Sequence, residues 1–526
     1  MRLAPRLAAW TLLALTASAP AAGQVHDLII RNGRVLDGTG NPWYHADVAV
    51  TGGRIAAVGD LAGARARRVI DARGLYVAPG FIDVHTHAGG GLATRGLSHA
   101  QPLLAQGITT AVVNPDGGGP VDLVRQREAL RAARPAVNVA LMVPHGSVRG
   151  AVVGMEDRAP TPAEMERMRA LVRAGMEAGA FGLSSGPYYA PGSFSTTEEL
   201  VELAKVAAEY GGVYSSHIRD EADYSIGVVA AVDEVIRVAR EARLPGIVTH
   251  IKALGPRVWG YSEALVKRIE RAREEGVEVF ADQYPYEASG TGITGALVPR
   301  WAQAGGDTAL LRRIDTPAER ARLREGILEN LDRRGGAARL QFRRHRADPS
   351  IEGKTMQQVA DERRMHPADL AMELLKAGGA DLVSFNMHPD DIATLMRQPW
   401  TITASDGDLV PMGEGVPHPR GYGTFPRKIR KYVLEERVVD LAQAVRSMTW
   451  LPAAVYGMRD RGILREGAVA DVVVFDLERV RDRATYQAPH QLAEGMVHVL
   501  VNGAPAVDSG KFTDVRAGVV LDRRAR

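Results

Sequence analysis

The sequence predicts an α/β protein in which a TIM-like (β/α)8 barrel is joined to a small β-sandwich formed by the N- and C-terminal segments. Eight short apolar runs alternate with Glu-, Arg-, Ala- and Leu-rich segments that are long enough for crossover helices. Both ends carry alternating apolar residues broken by Asn-Gly and Gly-Gly turns, as in residues 26–78 and 470–503. A doubly wound open sheet has the same repeat and stays an alternative at this point.

The predicted elements follow in chain order. Residues 24–78 form the first part of the sandwich, residues 79–456 the barrel, and residues 457–526 the second part of the sandwich. The eight predicted barrel strands are apolar runs, at residues 76–84, 108–114, 137–144, 180–184, 212–216, 246–249, 277–282 and 401–405. Residues 287–348 are helical in pattern, so we expect an insertion after the seventh strand, where it can cover the site. A second helical region, residues 367–398, includes an apolar piece at 382–385 that predicts an extra strand.

Residues 1–23 have the layout of a secretory signal peptide. Arg2 and Arg6 come before an apolar stretch at residues 7–17, and small residues follow it. The stretch is shorter than the ~20 residues that span a bilayer. We therefore expect export to the periplasm or the medium and no stable membrane anchor. The intact mass of exported protein tests this, since a retained leader would contradict it.

Composition limits both the partners and the chemistry. The 65 basic and 62 acidic residues give a net charge of +3, which falls to +1 when Arg2 and Arg6 leave with the leader. This balance does not indicate a nucleic-acid partner. The chain contains no cysteine, so a metal ion has to be bound by histidine and carboxylate. No pattern in the sequence indicates the oligomeric state.

Two histidines directly after the first barrel strand give the strongest local indication of chemistry. Asp83-Val-His-Thr-His places His85 and His87 two residues apart. Alternate residues of an extended chain face the same way, so both imidazoles can reach one metal ion. Taken alone, the pair is also compatible with two polar residues in a solvated turn.

Other candidate ligands follow other predicted strands. Each would be weak evidence alone, but the carboxyl ends of parallel barrel strands meet at one face, where the active sites of this fold lie. These candidates are Asp116, His217, His250 and Asp406. Four histidines and two carboxylates at the same end of the barrel predict a metal cluster.

A competing motif, Gly182-Leu-Ser-Ser-Gly, has the spacing of a serine-hydrolase nucleophile elbow. That elbow needs a helix immediately after the serine. Here Pro187 and Pro191 follow with Gly192, which blocks a helix start for several residues. We therefore disfavour a serine nucleophile.

Lys252 and Arg420 are candidate substrate-binding cations. Lys252 is one of eight lysines and lies two residues past His250, on the same face of an extended chain. Arg420 is held in a Gly- and Pro-constrained loop shortly after Asp406. Cations near a hydrolytic metal commonly bind a substrate carboxylate, and arginine does so with two hydrogen bonds. At this point, each of the two residues could equally well be an ordinary solvated cation at the protein surface.

Several motifs across nearly the whole chain after the leader resemble one family. They are Pro79-Gly-Phe-Ile-Asp-Val-His-Thr-His, Gly107-Ile-Thr-Thr, Gly182-Leu-Ser-Ser-Gly with Tyr189 and Pro191-Gly192, Tyr214-Ser-Ser-His-Ile-Arg-Asp-Glu, His250-Ile-Lys, Asp282-Gln-Tyr-Pro-Tyr, Ser405-Asp-Gly, His418-Pro-Arg-Gly-Tyr-Gly-Thr-Phe-Pro-Arg and Ala470-Asp-Val-Val-Val-Phe-Asp. Together they resemble the N-acyl-D-amino-acid deacylases, or D-aminoacylases, of the amidohydrolase superfamily.

The resemblance implies an activity and roles for residues. It implies a metal-dependent enzyme that hydrolyses the amide bond of N-acyl-D-amino acids, using zinc or another divalent metal, with one or two ions per chain. The implied metal ligands are His217 and His250, with His85 and His87 at a second or alternative site, and Asp406 is the implied catalytic acid/base. Lys252 and Arg420 are implied to hold the substrate carboxylate, and Tyr189 and Tyr286 to line the pocket.

One position departs from the family pattern. D-aminoacylases commonly have a metal-binding cysteine where this chain has Asp116. A carboxylate can bridge two metals as a thiolate does, but it is a harder ligand and relaxes selectivity toward metals such as manganese.

Three alternatives stay open from the sequence. A dipeptidase or a hydantoinase-like cyclic amidase would use the same metal chemistry on a different bond. Some cyclic amidases use a carboxylated lysine as a bridging ligand. The fourth strand here ends in Ser184-Ser185 and offers no lysine, which argues against that kind of cyclic amidase. A binding protein on an inactive scaffold is the third alternative, and the complete set of candidate ligands argues against it.

Overall fold

A computed structural model describes residues 25–523 of the chain. The described residues form twenty-one strands: β1 (Val25–Val35), β2 (Tyr44–Thr51), β3 (Arg54–Gly59), β4 (Arg65–Asp71), β5 (Tyr76–Pro79), β6 (Phe81–Asp83), β7 (Ile108–Val113), β8 (Asn138–Leu141), β9 (Val143–Pro144), β10 (Gly182–Ser185), β11 (Val213–Ser216), β12 (Gly246–Val248), β13 (Val279–Gln283), β14 (Ser289–Gly292), β15 (Leu340–Arg344), β16 (Asp381–Ser384), β17 (Thr401–Thr403), β18 (Val472–Phe475), β19 (Met496–Val501), β20 (Ala504–Asp508) and β21 (Lys511–Phe512).

The same residues form eighteen α-helices: α1 (Gly89–Leu92), α2 (Gln101–Leu104), α3 (Leu123–Ala133), α4 (His145–Val152), α5 (Pro162–Glu177), α6 (Thr197–Glu209), α7 (Val228–Ala242), α8 (Ser262–Glu274), α9 (Ile293–Leu297), α10 (Arg300–Gln303), α11 (Gly306–Asp315), α12 (Pro317–Arg333), α13 (Met356–Glu362), α14 (Pro367–Lys376), α15 (Pro389–Met396), α16 (Arg420–Arg427), α17 (Leu441–Met448) and α18 (Trp450–Val455). A π-helical segment, Lys428–Glu435, continues α16.

The predicted barrel is confirmed, with all eight strands parallel. Strands β6, β7 and β8 pair in that order, and β9 to β13 pair in sequence and end on β17. The third barrel strand is interrupted at Met142, which separates β8 from β9. A parallel bridge between Thr86 and Gly407 joins the first strand to the eighth. The open-sheet alternative is therefore wrong.

The helices pack outside the barrel through one apolar face each, as α5 illustrates. The Thr161 hydroxyl accepts a hydrogen bond from the Glu164 amide, the Glu164 carboxylate accepts one from the Thr161 amide, and Pro162 occupies the first turn. Met168, Val172 and Met176 then recur at helical spacing and are buried. Local sequence thus begins the helix, and burial of this face holds it against the barrel.

Strands from both ends of the chain form one sheet, as predicted. Its order is β21-β20-β19-β18-β5-β1-β2-β3, and β4 pairs with β1. The N-terminal β5 and the C-terminal β18 are antiparallel neighbours, with Val77 opposite Val474. Buried aliphatic residues from both ends, such as Ile30, Val48 and Leu500, share one apolar core.

The first predicted barrel strand, residues 76–84, contains two strands in the structure. It divides at Gly80, so that β5 belongs to the terminal sheet and β6 to the barrel. A Cβ at Gly80 would lie 2.2 Å from the Thr109 hydroxyl oxygen, so only glycine fits here. The Gly80 amide donates to the Asp471 carbonyl oxygen at 2.8 Å, which ties the junction to the terminal sheet.

The insertion between β13 and β17 is larger than the predicted residues 287–348. Its antiparallel sheet has the order β14-β16-β15, so the predicted extra strand at residues 382–385 is its central strand, β16. The inserted helices have an apolar core of their own, which includes Leu297, Leu323 and Phe342. The insertion thus extends to Ser384.

The predicted leader, residues 1–23, lies outside the described residues. Among residues 25–523, no helix combines the length and the apolar composition needed to cross a bilayer.

Candidate metal centre

All six predicted ligands meet at the carboxyl end of the barrel strands. His85 and His87 follow β6, and Asp116 follows β7. The remaining three follow β11, β12 and β17; they are His217, His250 and Asp406. Their ligand atoms form two groups that share Asp116.

The first group consists of His85, His87, Asp116 and Asp406. His85 Nε2 lies 3.3 Å from Asp116 Oδ1 and 3.4 Å from Asp406 Oδ1. His87 Nε2 lies 3.4 Å from Asp116 Oδ2 and 3.1 Å from Asp406 Oδ1. Two imidazole nitrogens therefore face the same two carboxylates.

The second group consists of Asp116, His217 and His250. His217 Nδ1 lies 3.8 Å from Asp116 Oδ2, and His250 Nε2 lies 3.6 Å from Asp116 Oδ1. The two facing imidazole nitrogens are 2.8 Å apart. Asp116 thus stands between the groups, with each oxygen facing one histidine of each.

Buried polar atoms without hydrogen-bond partners test whether this set suits a metal. They include Nε2 of His85 and Oδ1 of Asp116, which lie 3.3 Å apart. Buried polar groups are normally hydrogen-bonded, so unpartnered nitrogen and oxygen atoms that converge on one point need another partner. A divalent cation that accepts imidazole and carboxylate ligands satisfies them, and zinc is such an ion.

The backbone at three of the six positions is left-handed. The φ angles are 56° at Asp116, 35° at His250 and 50° at Asp406. L-residues rarely adopt this region, and it clusters at functional sites where surrounding bonds hold it. Here the Asp406 amide donates to the His85 carbonyl oxygen at 2.8 Å, and the His250 amide donates to Asp282 Oδ1 at 2.6 Å.

Two buried carboxylates support the ligands and were not predicted. Asp282, on β13, holds the His250 backbone and places Oδ2 3.5 Å from His85 Nδ1. Glu221 lies 3.0 Å from His250 Nδ1 and 3.6 Å from His217 Nε2. Burial would raise the pKa of Glu221, but Lys252 and the two histidines outweigh it and hold this pKa below its ordinary value. Such partners orient metal-binding imidazoles.

The two predicted substrate-binding cations lie beside the centre. Lys252 is buried, and its Nζ donates to Glu221 and lies 2.8 Å from His250 Nδ1. Arg420 Nη1 lies 2.6 Å from Asp406 Oδ2. Burial would raise the pKa of Asp406, but Arg420 and His85 outweigh it and hold this pKa well below its ordinary value.

A cavity of about 570 Å³ opens over these groups and is lined by five of the six candidate ligands, all except His85. Lys252, Arg420 and Tyr189 also line it, as predicted. Several further lining residues were not predicted, among them Tyr188, Tyr284, Ser289, Thr291, Arg334 and Arg343.

Tyr286, which was predicted to line the pocket, does not line this cavity. Its buried ring packs 5.2 Å from the His418 ring, and its hydroxyl donates to the Pro419 carbonyl oxygen at 3.4 Å. Tyr284 lines the cavity instead, and its ring lies 4.7 Å from the Arg420 guanidinium carbon. The chain leaves β13 at Gln283, so the strand alternation that would give both tyrosines one face no longer applies.

The serine of the elbow-like motif does not line this cavity. Ser184 is buried on β10, and its hydroxyl donates to the Asn114 carbonyl oxygen at 2.6 Å. It therefore supports the loop that carries Asp116.

Comparisons with known proteins agree with this geometry. The amidohydrolase family profile matches residues 68–507. A D-aminoacylase from Alcaligenes xylosoxydans xylosoxydans is 35% identical over 95% of this chain and 99% of the relative. The solved N-acyl-D-glutamate deacylase from Bordetella bronchiseptica, in complex with zinc and a phosphonate mimic of the tetrahedral intermediate, is 36% identical. It covers 95% of this chain and 100% of that one, with a TM-score of 0.81.

A solved D-aminoacylase studied for its binuclear metal centre is 33% identical, covers 94% of this chain and 100% of that one, and also has a TM-score of 0.81. Extensive identity and a shared fold over nearly the whole chain establish the relationship. The chain belongs to the amidohydrolase family, in the group of the D-aminoacylases.

Proposed function

We propose that this protein hydrolyses the amide bond of N-acyl-D-amino acids and releases a carboxylate and a free D-amino acid. The observation that carries the proposal is the pair of ligand groups joined by Asp116, at the base of a cavity that also contains Lys252 and Arg420. The deacylase relatives support the substrate class and the D configuration.

The residues would hold one or two divalent ions, zinc among the candidates. His85, His87 and Asp406 form one side, His217 and His250 the other, and Asp116 lies between them. A divalent ion bound there supplies Lewis-acid chemistry, which polarises an amide carbonyl and lowers the pKa of water.

Asp406 is placed to act as general base and acid. Its Oδ1 faces His85 and His87, and its Oδ2 is held by Arg420. It accepts a proton from the attacking water and returns it to the leaving nitrogen, because an amine departs only when protonated. The Arg420 contact fixes the direction of the carboxylate for both transfers.

Lys252 and Arg420 bind the substrate carboxylate in this proposal. Both line the cavity, and both lie near the Tyr284 ring, 5.7 Å from its centre for Lys252 Nζ and 4.7 Å for the Arg420 guanidinium carbon. Two cations that line one cavity beside the same aromatic ring can position a substrate carboxylate and so align the scissile bond.

The test is release of free amine from matched N-acetyl-D and N-acetyl-L amino acids with apolar, acidic and basic side chains. We expect turnover confined to the D series by metal-loaded protein. Turnover of the L series at equal rates would overturn the proposed configuration. Hydrolysis of dipeptides or cyclic amides, with none of either N-acetyl series, would establish one of the alternative activities instead.

Export is a further part of the proposal, since residues 1–23 have the layout of a leader. The enzyme would then meet its substrates in the periplasm or the medium.

A further inference from the structure

A second cavity, of about 640 Å³, adjoins the metal centre and has no role in the function proposed above. The two cavities share His87, Pro115 and Gly118 on their walls. Helix α1, the loop after β7 and helix α3 line the second one, which is open to solvent along residues such as Gly90, Gly118 and Ala129. We propose that it binds the acyl group of the substrate, and that the enzyme prefers medium-length, unbranched apolar acyl chains over acetyl. This inference rests on the proposed function.

The position of the second cavity follows from the order of the barrel strands. Lys252 follows β12, the sixth barrel strand, and the loop that carries Pro115 and Gly118 follows β7, the second. Strands two and six lie opposite each other in an eight-stranded barrel, with the metal ligands between them. With the substrate carboxylate held by Lys252 and Arg420 and the scissile carbonyl at the centre, the acyl group has room to extend toward His87 and Gly118, across the ligands from Lys252.

The lining of the second cavity suits a hydrocarbon chain. The two buried side-chain amides in its wall are hydrogen-bonded to each other. Asn114 Nδ2 donates to Gln126 Oε1 at 2.8 Å, and Gln126 Nε2 donates to Asn114 Oδ1 at 2.9 Å. Asp122 accepts a hydrogen bond from the Arg125 amide as the N-cap of α3. The Asn114, Gln126 and Asp122 side chains therefore already have partners.

Apart from His87 and Arg125, carbon atoms make up much of the remaining surface. They come from Ala93, Pro115, Pro120, Val121, Ala129 and the glycines. Each methylene that such a surface removes from water favours binding.

Glycines leave the space open on two walls. A Cβ built on Gly90 meets no atom within 4 Å, and the nearest atom to one on Gly118 is the Pro115 carbonyl oxygen at 3.8 Å. Neither residue has a φ angle that requires glycine. Gly90 is exposed at the rim of the cavity, so a large side chain there has room to fold over the space in which we place the acyl chain.

The first arm of the test varies the acyl chain on one D-amino acid through acetyl, butanoyl, hexanoyl and octanoyl, below micelle-forming concentrations. We expect kcat/KM to rise about twofold to fourfold for each added methylene until the cavity is filled. A matched arm lengthens the side chain of N-acetyl-D-amino acids instead. A kcat/KM that is flat or falls from acetyl to octanoyl, or that rises only with side-chain length, would overturn the inference.

The second arm fills the cavity in two independent variants, Gly90→Phe and Ala129→Phe, from opposite walls. We expect the octanoyl-to-acetyl ratio of kcat/KM to fall at least tenfold in each folded variant. Gly96→Phe is the matched control, because a Cβ there also meets no atom within 4 Å and the residue lines neither cavity. An unchanged ratio in Gly90→Phe and Ala129→Phe would contradict the assignment. No hydrolysis of any acyl-D-amino acid by wild-type protein would instead overturn the proposed function itself.

Discussion

Asp116 connects the two halves of the candidate metal centre. Its Oδ1 faces His85 and His250, and its Oδ2 faces His87 and His217, at 3.3 to 3.8 Å. A carboxylate is a hard ligand, and it suits zinc and also harder ions such as manganese.

Replacing Asp116 tests this role. We expect Asp116→Ala to lower the number of bound ions per chain and to reduce turnover at least 100-fold, because both ligand groups lose a shared oxygen donor. Elemental analysis of purified protein measures the stoichiometry. Asp122→Ala, at the exposed N-cap of the following helix, serves as a control that leaves the metal content unchanged. Unaltered stoichiometry and turnover in Asp116→Ala would remove Asp116 from the site.

The candidate ligands could be predicted at the residue scale because each follows a strand of one parallel barrel, and such strand ends converge. Glu221 and Asp282 escaped prediction because their function depends on ion pairs and hydrogen bonds across strands. Asp282 lies within its strand, and Glu221 lies several residues beyond one. The final Glu of the motif Tyr214-Ser-Ser-His-Ile-Arg-Asp-Glu was the feature that could have indicated Glu221.

At the scale of elements, the junction of β17 with the π-helical segment contains an unusual buried lysine. Lys428 is 3% exposed, and its Nζ donates to the Thr403 and Ser447 hydroxyls at 2.8 and 2.9 Å. Burial lowers the pKa of Lys428 from 10.5 to about 7. The folded protein therefore holds this amine less protonated than the unfolded chain does between these two pH values.

This difference makes stability depend on pH in a definite direction. Between about pH 7 and pH 10.5 the unfolded chain binds the additional proton, so the Lys428 contribution to the free energy of unfolding increases with pH. We expect Lys428→Met to stabilise the protein by about 1–3 kcal/mol at pH 7, since it removes the cost of neutralising the amine but also loses two hydrogen bonds. Thr403 and Ser447 remain bonded to each other at 2.9 Å.

Denaturant unfolding at pH 7 and at pH 10 measures this effect. The advantage of Lys428→Met should shrink toward zero at the higher pH. Lys267→Met, on helix α8 and outside the buried set, is the control and should show no such trend. An advantage of equal size at both pH values would contradict the account.

The positions of strands and helices could be predicted where they follow from a local pattern of apolar residues. They could be predicted less well where they depend on pairing between distant parts of the chain. The barrel strands and α5 follow from apolar runs and a capping box. The division at Gly80 depends on contact with Thr109, and the full extent of the insertion depends on β16 pairing with β14 and β15. None of these contacts leaves a local pattern in the sequence.

At the scale of the whole molecule, three units build the site together. The barrel supplies the candidate metal ligands, and the terminal sheet holds the start of the first barrel strand through Gly80 and Asp471. The insertion forms part of the wall of the cavity over the metal centre, through Ser289, Thr291, Arg334 and Arg343. Arg334 donates to the Tyr188 hydroxyl at 3.0 Å and Arg343 to Asp408 at 2.6 Å, which joins the insertion to the barrel loops.

We propose that the residues around Asp116 together carry out metal-dependent hydrolysis of N-acyl-D-amino acids. The most direct test follows the release of D-amino acid by wild-type protein after chelation and again after zinc is returned. Asp406→Asn serves as a variant that lacks the general base, while Asp116, His217 and His250 would still hold an ion. We predict that chelation abolishes turnover, that zinc restores it in wild-type protein, and that Asp406→Asn stays inactive with metal bound. Full turnover by metal-free protein, or by Asp406→Asn, would contradict the account.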